Sequence, residues 1–209
     1  MARSYFITGT DTNVGKTVLS ALLCASLPAR YWKPIQTGAI EGTDRRQVIS
    51  WAGIAQEQAF DETYIFDDPV SPHLAAERSG KEIRLEAIAL PSADSLPLVV
   101  EGAGGVLAPI NSHQFIAHLI VHLRLPVVLA ARSTLGTINH TLMSLEVLRS
   151  YQVAVQGVVL IGPENPENRS AIEHFGKIQV IGHIPILKTI DRQALRQVFA
   201  ENFRQEAFA

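Results

Sequence analysis

The stretch Tyr5-Phe6-Ile7-Thr8-Gly9-Thr10-Asp11-Thr12-Asn13-Val14-Gly15-Lys16-Thr17 decides the fold. It begins as an apolar, strand-like run and ends in Gly-Lys-Thr, where a helix-like run starts. A loop between a buried strand and a helix presents backbone N–H groups to an anion, and the helix dipole adds to the attraction. We therefore predict a phosphate-binding loop over Gly9–Thr17. Lys16 would neutralise β- and γ-phosphate oxygens, and the Thr17 hydroxyl would ligate Mg²⁺.

The spacing of this loop departs from the usual phosphate-loop pattern. Five residues separate Gly9 from Gly15, so that Thr10 stands where a four-residue spacing would have its first glycine. The alternative is a helix N-terminus that contains Gly-Lys-Thr by chance, but the preceding strand and the following helix favour the functional interpretation. The residues predicted to contact a nucleotide here are Thr12, Asn13, Val14, Gly15, Lys16, Thr17 and Val18.

Outward from the loop, strand-like runs alternate with helix-like segments along the chain. Most of the runs are continuously apolar, which is typical of parallel strands that are buried on both faces. They are Tyr5–Ile7, Tyr31–Trp32, Leu98–Val100, Val127–Ala130, Val158–Ile161 and Ile178–Ile181. We predict an α/β fold: one P-loop NTPase-type domain over residues 1–209, with a mostly parallel sheet and helices on both faces. Asp191 is expected to cap the last helix, and the irregular segment Asp61–Pro97 is interpreted as an excursion within that domain.

Bulk composition narrows the classes of function. The chain has 209 residues, 47% of them hydrophobic, and a net charge of −2, which argues for a real core and against nucleic-acid or membrane-surface binding. The single cysteine, Cys24, cannot form an internal disulfide and is expected to be buried among leucines. No apolar run reaches the ~18 residues of a membrane span, and the N-terminal Met1–Ser4 shows no signal-peptide pattern. A cytoplasmic enzyme is the expectation.

Glu101 is the best candidate for a second metal ligand. It follows the run Leu98–Val100, and ligands of an open parallel sheet collect at the carboxyl ends of its strands. A solvated glutamate at a strand end is the alternative. The glycines and alanine that follow suggest that the backbone closely approaches a ligand at Gly102, Ala103 and Gly104.

Taken in order, several segments resemble dethiobiotin synthetase, an enzyme family of biotin synthesis. The segments are Tyr5–Thr17, Trp32–Gly38, Ser71–His73, Val100–Gly105, Leu135–His140 and Gly182–Pro185. The resemblance implies closure of a ureido ring on 7,8-diaminononanoate with CO₂, with ATP as co-substrate and Mg²⁺ as cofactor. A substrate amine would form a carbamate, ATP would phosphorylate the carbamate, and the second amine would displace phosphate. Such chemistry depends mainly on positioning and charge stabilisation.

The resemblance also assigns roles to single residues. Lys33 becomes the catalytic lysine beside Lys16, although by position alone it is more readily explained as a surface residue. Thr37 would contact the diamine. Asp44 would join Thr17 and Glu101 around Mg²⁺, while its position is equally suited to capping a helix over Arg45–Ile54.

Further contacts are implied for the ends of both substrates. The loop and helix start formed by Leu135, Gly136, Thr137, Ile138 and Asn139 would bind the diamine's carboxylate, contributed by the partner subunit of a homodimer. The nucleotide base would lie near Ile161, Gly162, Pro185, Ile186 and Leu187. Two positions depart from the family pattern: Asn13 replaces a frequent glutamate, and Ile161-Gly162 replaces an Asn-Asp pair that commonly recognises adenine.

Three alternatives stay open at this point. His118 and His122 have the spacing of a shared metal site, but ordinary histidines explain them better because no third ligand is evident. A switch ATPase of the partitioning or division-positioning kind would share the sheet and a variant loop. A ligase of corrin synthesis would normally carry a glutaminase domain that 209 residues cannot hold.

Overall fold

Eight strands and seven α-helices alternate along the part of the chain that the computed structural model describes, residues 4–91 and 96–208. The strands are β1 Tyr5–Gly9, β2 Arg30–Trp32, β3 Ile35–Gln36, β4 Tyr64–Ile65, β5 Leu98–Gly105, β6 Val127–Arg132, β7 Val155–Ile161 and β8 Val180–Ile184. The helices are α1 Lys16–Ser26, α2 Asp44–Ala52, α3 Pro72–Arg78, α4 Ile116–Leu123, α5 Thr137–Ser150, α6 Pro166–Gly176 and α7 Arg192–Asn202.

The main sheet has six strands in the order β2-β5-β1-β6-β7-β8, and every strand pair in it is parallel. Strand β1 is flanked by β5 and β6, so the loop that follows it opens between the carboxyl ends of its neighbours. A ligand-binding crevice is expected at that edge of a parallel sheet. A second, two-stranded parallel sheet pairs β3 with β4.

Two hydrophobic layers cover the two faces of the sheet. Helices α1, α2 and α7 pack on one face, and helices α4, α5 and α6 pack on the other. Successive side chains of a strand point to opposite faces, and β1 follows this rule: Tyr5 and Ile7 belong to the α1 layer and Phe6 to the α4 layer. The predicted α/β architecture, with helices on both faces, is confirmed.

Several strand boundaries differ from the predictions, among them those of β8 and β5. The last strand begins at Val180 rather than Ile178 and runs to Ile184. Strand β5 continues to Gly105, so Glu101 lies inside a strand and not at its end. Residues 102–105 stay beside β1 through an irregularity in the pairing: Ile7 pairs with Glu101 and Gly9 with Gly105, and Gly104 between them has φ 69°. Close packing requires glycine at residue 102, because a Cβ there would come 2.8 Å from the Phe6 ring.

Other local predictions are confirmed. The Asp191 carboxylate accepts a hydrogen bond from the Ala194 amide at 2.9 Å and caps α7. Cys24 is fully enclosed by the α1 layer, and burial raises the pKa of its thiol. Among residues 4–91 and 96–208, no helix combines the length and apolar character needed to cross a membrane.

The segment Asp61–Pro97 is more ordered than its sequence predicts. It contains β4, α3 and a short 3₁₀ turn at Leu85–Ala87. Ile83, Leu85 and Ile88 are buried in the layer on the α4 face, so the segment is part of the core. Residues Ser92–Ser95 lie outside the described residues, as do Met1–Arg3, on which the signal-peptide prediction rests, and Ala209.

Candidate active site

The loop after β1 turns sharply over the end of its own strand. A side chain at Gly9 would place its Cβ 2.7 Å from Val14 Cγ2 and 2.9 Å from the Asp11 carbonyl oxygen. Gly15, at φ 97°, is the N-cap of α1 and lies against Ile161, whose Cδ1 would be 2.9 Å from an added Cβ. These contacts explain why glycines begin and end the loop despite its unusual spacing.

Lys16 lies in this loop with little contact to solvent. Its Nζ donates a hydrogen bond to the Asp11 carbonyl oxygen at 3.0 Å, and its residue exposure is 7%. Burial, followed by the nearby charge of Lys33, lowers the pKa of Lys16 to about 8. The lysine is therefore partly neutral in mildly alkaline solution, whereas an unperturbed lysine would be fully charged.

We expect proton uptake to accompany ATP binding near this pKa. The negative phosphate oxygens would favour the charged form of Lys16. Binding of ATP should therefore be accompanied by uptake of a fraction of a proton at Lys16 at about pH 8.5, and of almost none at about pH 6.5. Calorimetry in two buffers of different ionisation enthalpy measures this difference. Equal uptake at both pH values would contradict the shifted pKa.

The lowered pKa of Lys16 also determines how its contribution to stability changes with pH. From about pH 8 to 10.5 the unfolded chain holds more protons at Lys16 than the folded chain, so this contribution becomes more favourable as pH rises.

Behind the loop, a buried network surrounds Glu101. One carboxylate oxygen, Oε1, accepts hydrogen bonds from Thr17 Oγ1 at 2.9 Å and from Lys33 Nζ at 3.2 Å. The other, Oε2, accepts one from the Tyr31 hydroxyl at 3.0 Å. Glu101 is 1% exposed, so these donors replace its hydration. The interpretation of Glu101 as a solvated strand-end residue is therefore wrong.

Lys33 connects Glu101 to Asp44. Its Nζ lies 2.5 Å from Asp44 Oδ2 and 3.4 Å from the Gly102 carbonyl oxygen, in addition to its bond with Glu101. Burial by itself would lower the pKa of Lys33, but the two carboxylates outweigh burial and raise this pKa above its ordinary value. Lys33 is therefore a buried, permanently charged cation, and the interpretation of Lys33 as a surface residue is wrong.

Asp44 is the first residue of α2 and does not cap it. The N-cap is Thr43, whose side chain accepts from the Arg46 amide at 3.3 Å, so the alternative of an Asp44 cap is wrong. The Asp44 amide instead donates to Gln36 Oε1 at 3.1 Å. This bond ties the start of α2 to β3, and the Asp44 carboxylate is left directed at Lys33.

The Tyr31 hydroxyl should matter for stability, because it donates to a buried carboxylate. Replacing Tyr31 with phenylalanine is expected to lower the free energy of unfolding by about 1.5–3 kcal/mol, the usual range for a hydrogen bond to a charged group. Urea denaturation of the variant and the unaltered chain measures this. Tyr64→Phe is the control, since the Tyr64 hydroxyl bonds neutral backbone groups of Arg84 at an exposed site: it accepts from the amide at 3.1 Å and donates to the carbonyl oxygen at 3.5 Å. A loss at Tyr31 no larger than at Tyr64 would contradict the proposed importance of this bond.

The residues implied for the ends of the substrates lie at the same carboxyl edge or beside it. Thr37 follows β3 and is half-buried. Gly136, at φ 91°, is the N-cap of α5; Leu135 before it is 100% exposed, and Thr137 after it is buried. Ile138 is half-buried and Asn139 is exposed.

The region implied for the nucleotide base is formed by the ends of β7 and β8. The Gly162 amide donates to the Ile184 carbonyl oxygen at 2.9 Å. Gly162 has φ 128°, and a Cβ there would come 2.7 Å from Ser133 Oγ. A side chain at residue 162 would be strained at this φ and would require the Ser133 hydroxyl to move. Further along, Pro185 and Leu187 are half-buried, and Ile186 is 76% exposed.

Comparisons with known proteins identify the family of this chain. Residues 3–194 match a family described as an AAA domain. A relative from Brucella ovis, called ATP-dependent dethiobiotin synthetase BioD, is 45% identical over 203 residues, which cover 97% of this chain and 95% of the relative. A relative of the same name from Rhodopseudomonas palustris is 45% identical over 208 residues, covering 100% and 97%. The chain belongs to the dethiobiotin synthetase family. It is an ATP-dependent ligase of that family.

Solved structures of similar fold include an ATPase and a cell division protein complex. A ParA family ATPase from Chlorobium tepidum has a TM-score of 0.54 at 11% identity, covering 96% of this chain and 93% of that one. The MinC:MinD cell division protein complex of Aquifex aeolicus has a TM-score of 0.52 at 14% identity, covering 94% and 86%. At such low identity the likeness shows the fold alone. Sequence relatedness therefore favours the dethiobiotin synthetase family over the switch-ATPase alternative.

Two residues of this site escaped the sequence analysis. Tyr31 was treated only as part of a strand, yet its hydroxyl contacts Glu101. Arg132 ends β6, and its guanidinium donates to Asp11 Oδ2 in the phosphate loop at 2.8 Å. A charged residue that closes an apolar strand beside β1 is the signal that could have indicated Arg132, by the same reasoning that singled out Glu101.

The histidine pair on α4 has ordinary structural contacts. His118 Nδ1 accepts a hydrogen bond from the Phe115 amide at 3.0 Å, and His122 Nε2 lies 2.9 Å from the Ile88 carbonyl oxygen. No group of three or more histidine, cysteine or acidic side chains suited to a metal occurs among the described residues. The preference for ordinary histidines agrees with these contacts.

Proposed function

We propose that this chain closes the ureido ring of dethiobiotin on 7,8-diaminononanoate, using CO₂ and ATP with Mg²⁺. One observation carries the proposal: Lys33 is a buried ammonium group that shares Glu101 with the Thr17 hydroxyl of the phosphate loop. A fixed positive charge is thereby set beside the expected phosphates of ATP. Family membership supports the same reaction, because the relatives are called ATP-dependent dethiobiotin synthetases.

The oxygen atoms near the loop fit a magnesium ion. Thr17 Oγ1 and Glu101 Oε1 lie 2.9 Å apart, and the Asp44 carboxylate is joined to Glu101 through Lys33. A hydroxyl and two carboxylates are hard ligands of the kind that Mg²⁺ prefers, and such sites usually complete their octahedron with phosphate oxygens and water. We infer that Thr17, Asp44 and Glu101 hold Mg²⁺, whose role is to neutralise charge on the phosphates of ATP.

Each of the two lysines has a separate role in the proposed reaction. An amine of the substrate adds to CO₂ and loses a proton, giving a carbamate. A carbamate oxygen then attacks the γ-phosphorus and ADP leaves. Lys33 would offset the negative charge of the carbamate, and Lys16 that of the transferring phosphoryl group. The raised pKa of Lys33 keeps it charged for this role.

Ring closure needs positioning more than acid–base chemistry. The second amine attacks the carbonyl carbon of the carbamic-phosphoric anhydride; phosphate departs with the bridging oxygen, and the amine loses a proton. Holding both amines of one substrate near the same carbon makes this step intramolecular, which is a large kinetic advantage. We infer from the family resemblance that Thr37 contacts the diamine; Gln36 beside it is buried and accepts a hydrogen bond from the Asp44 amide, which fixes this segment near the Lys33 network.

Further contacts belong to the same proposal. We infer a homodimer in which Leu135, Gly136, Thr137, Ile138 and Asn139 of one subunit bind the diamine's carboxylate in the other; the fully exposed Leu135 and the start of α5 support this. The strand end Ile161-Gly162 and the segment Pro185, Ile186 and Leu187 would surround the base. Since Ile161 and Gly162 offer no polar side chain, base recognition would depend on backbone groups, and nucleotide selectivity would be loose. We place the reaction in the cytoplasm, where ATP is available.

A direct assay tests the proposed function. The chain is incubated with 7,8-diaminononanoate, bicarbonate, Mg²⁺ and ATP, and dethiobiotin is followed by mass spectrometry together with ADP. We expect dethiobiotin and ADP in equal amounts, and neither product when the diamine is omitted. ADP that forms without the diamine, and no dethiobiotin with it, would refute the proposal and favour an ATPase of another class.

A further inference from the structure

A third cation faces the phosphate loop from the neighbouring strand. Arg132 is the last residue of β6, which pairs with β1 on the side opposite to β5. Its guanidinium donates to Asp11 Oδ2 at 2.8 Å, and the other carboxylate oxygen of Asp11 accepts from the Thr12 amide at 2.7 Å. Arg132 thus reaches across to the middle of the loop, away from the Lys33 network.

The register of the sheet places Arg132 at the ligand side of the loop. Arg132 is aligned with Ile161 of β7, so both side chains leave the sheet on the same face. Ile161 lies against Gly15, the residue that caps α1. Arg132 and Ile161 therefore flank the N-terminal end of α1, where the backbone N–H groups of the loop would meet phosphate oxygens.

Arg132 can exchange its contact with Asp11 for another contact at little cost in free energy. The ion pair with Asp11 is partly exposed, with side-chain exposures of 40% and 55%. Exposed ion pairs contribute little to stability, typically about 0–1 kcal/mol, so exchange of this carboxylate for another anion is inexpensive. Lys33, by contrast, is bound to two carboxylates at a buried site, and Lys16 is buried and donates to the Asp11 carbonyl oxygen. Arg132 is the cation here that is always charged and only weakly engaged.

We propose that Arg132 is a further phosphate-binding residue, which leaves Asp11 when a nucleotide binds and takes oxygens of the polyphosphate chain. The planar guanidinium suits this role, because it donates paired hydrogen bonds to phosphate. The proposal rests on the proposed use of ATP. It is distinct from a purely structural role, in which Arg132 would only brace the loop through Asp11.

Two substitutions separate binding from bracing. Arg132→Gln removes the cation, whereas Asp11→Asn removes the carboxylate but keeps an oxygen for the Thr12 amide. If Arg132 contacts phosphate, the first variant should bind ATP and inorganic tripolyphosphate about tenfold more weakly. The second variant should bind both as tightly as the unaltered chain, or more tightly, because a negative charge beside the phosphates is gone. Calorimetry without diamine or CO₂ measures both affinities.

The controls make each outcome informative. Arg149→Gln is the matched variant, because Arg149 forms a comparably exposed pair with Glu146 in the last turn of α5. Thermal melts verify that each variant is folded. Should the glutamine variant be unstable, Arg132→Lys replaces it; it keeps a cation but cannot donate paired hydrogen bonds, so it is expected to bind ATP more weakly than the unaltered chain. The proposal is overturned if Arg132→Gln leaves affinity unchanged, if Asp11→Asn weakens binding to the same degree, or if Arg149→Gln does so.

Failure of the proposed function would be recognised separately. An unaltered chain that binds ATP but forms no dethiobiotin would refute the synthetase reaction and leave the role of Arg132 intact. An unaltered chain that binds neither ATP nor tripolyphosphate would overturn both proposals.

Discussion

Replacement of Lys33 by alanine is expected to lower the rate of dethiobiotin formation by a factor of about 10²–10³ or more, with ATP binding nearly intact. The ammonium group of Lys33 is the charge proposed to offset the carbamate and the developing phosphate. Lys16 and the loop amides, which are proposed to bind ATP, are unchanged by the substitution. Removing a group that acts mainly on the transition state lowers turnover more than affinity.

Single-turnover assays and ATP calorimetry on the same protein separate the two effects. Lys81→Ala is the matched control, since Lys81 is an exposed lysine remote in sequence from the loop. Lys33→Met is a second variant that retains an apolar stem, should alanine leave too large a gap between Glu101 and Asp44. Equal losses of ATP affinity and of turnover in both variants would contradict the role assigned to Lys33.

Glu101→Gln is expected to have an effect of similar size on turnover and a further effect on stability. The substitution removes a proposed Mg²⁺ ligand, so dethiobiotin formation should fall by about 10²-fold or more at saturating Mg²⁺. It also breaks the buried pair with Lys33 at 3.2 Å. Loss of one partner from a buried ion pair typically costs about 3–5 kcal/mol, because the other charge stays buried.

The stability part of this prediction is measured by urea denaturation, and the catalytic part by a titration with Mg²⁺. Glu146→Gln serves as the control, because Glu146 is 72% exposed and its bond to Arg149 lies on a helix surface. We expect less than about 1 kcal/mol of destabilisation there. Unaltered Mg²⁺ dependence in Glu101→Gln would contradict the metal role, and unaltered stability would contradict the importance of the buried pair.

The fold was predictable because its signals are local. Continuous apolar runs such as Val127–Ala130 mark strands with two buried faces, and Gly-Lys-Thr after a strand marks the loop. Boundaries were less accurate where glycines extend a strand: the predicted run ended at Val100, whereas β5 continues to Gly105 beside β1. Ile83 and Ile88 of the irregular segment could not be placed in the core from sequence, since no periodic pattern surrounds them.

The site was predictable only in part, for a physical reason. Lys16 and Thr17 belong to one local motif, whereas Glu101 meets Thr17 across 84 positions of sequence and Tyr31 across 70. Such contacts depend on strand order and register, which short patterns do not encode. Lys33 and Asp44 were found through family resemblance, and the structure adds the burial that composition alone would not predict for a lysine.

The fold is shared with proteins of other names, among them a ParA family ATPase and a cell division protein complex. The ParA family ATPase and the MinC:MinD complex have similar sheets, so the architecture alone does not determine the reaction. The proposed difference lies in the residues after β2: Lys33 joins the loop network through Glu101, and Asp44 at the start of α2 completes the pair of carboxylates around it. These groups would direct ATP toward a carbamate.

Transfer of oxygen from CO₂ to phosphate tests this central claim most directly. The chain is supplied with ¹⁸O-labelled CO₂, ATP, Mg²⁺ and 7,8-diaminononanoate in unlabelled water, and the products are analysed by mass spectrometry before the label exchanges with solvent. If ATP phosphorylates the carbamate, the released phosphate carries one oxygen from CO₂ and the ureido carbonyl carries the other. Dethiobiotin formed together with unlabelled phosphate would contradict the account, because the phosphoryl group would then have gone to water.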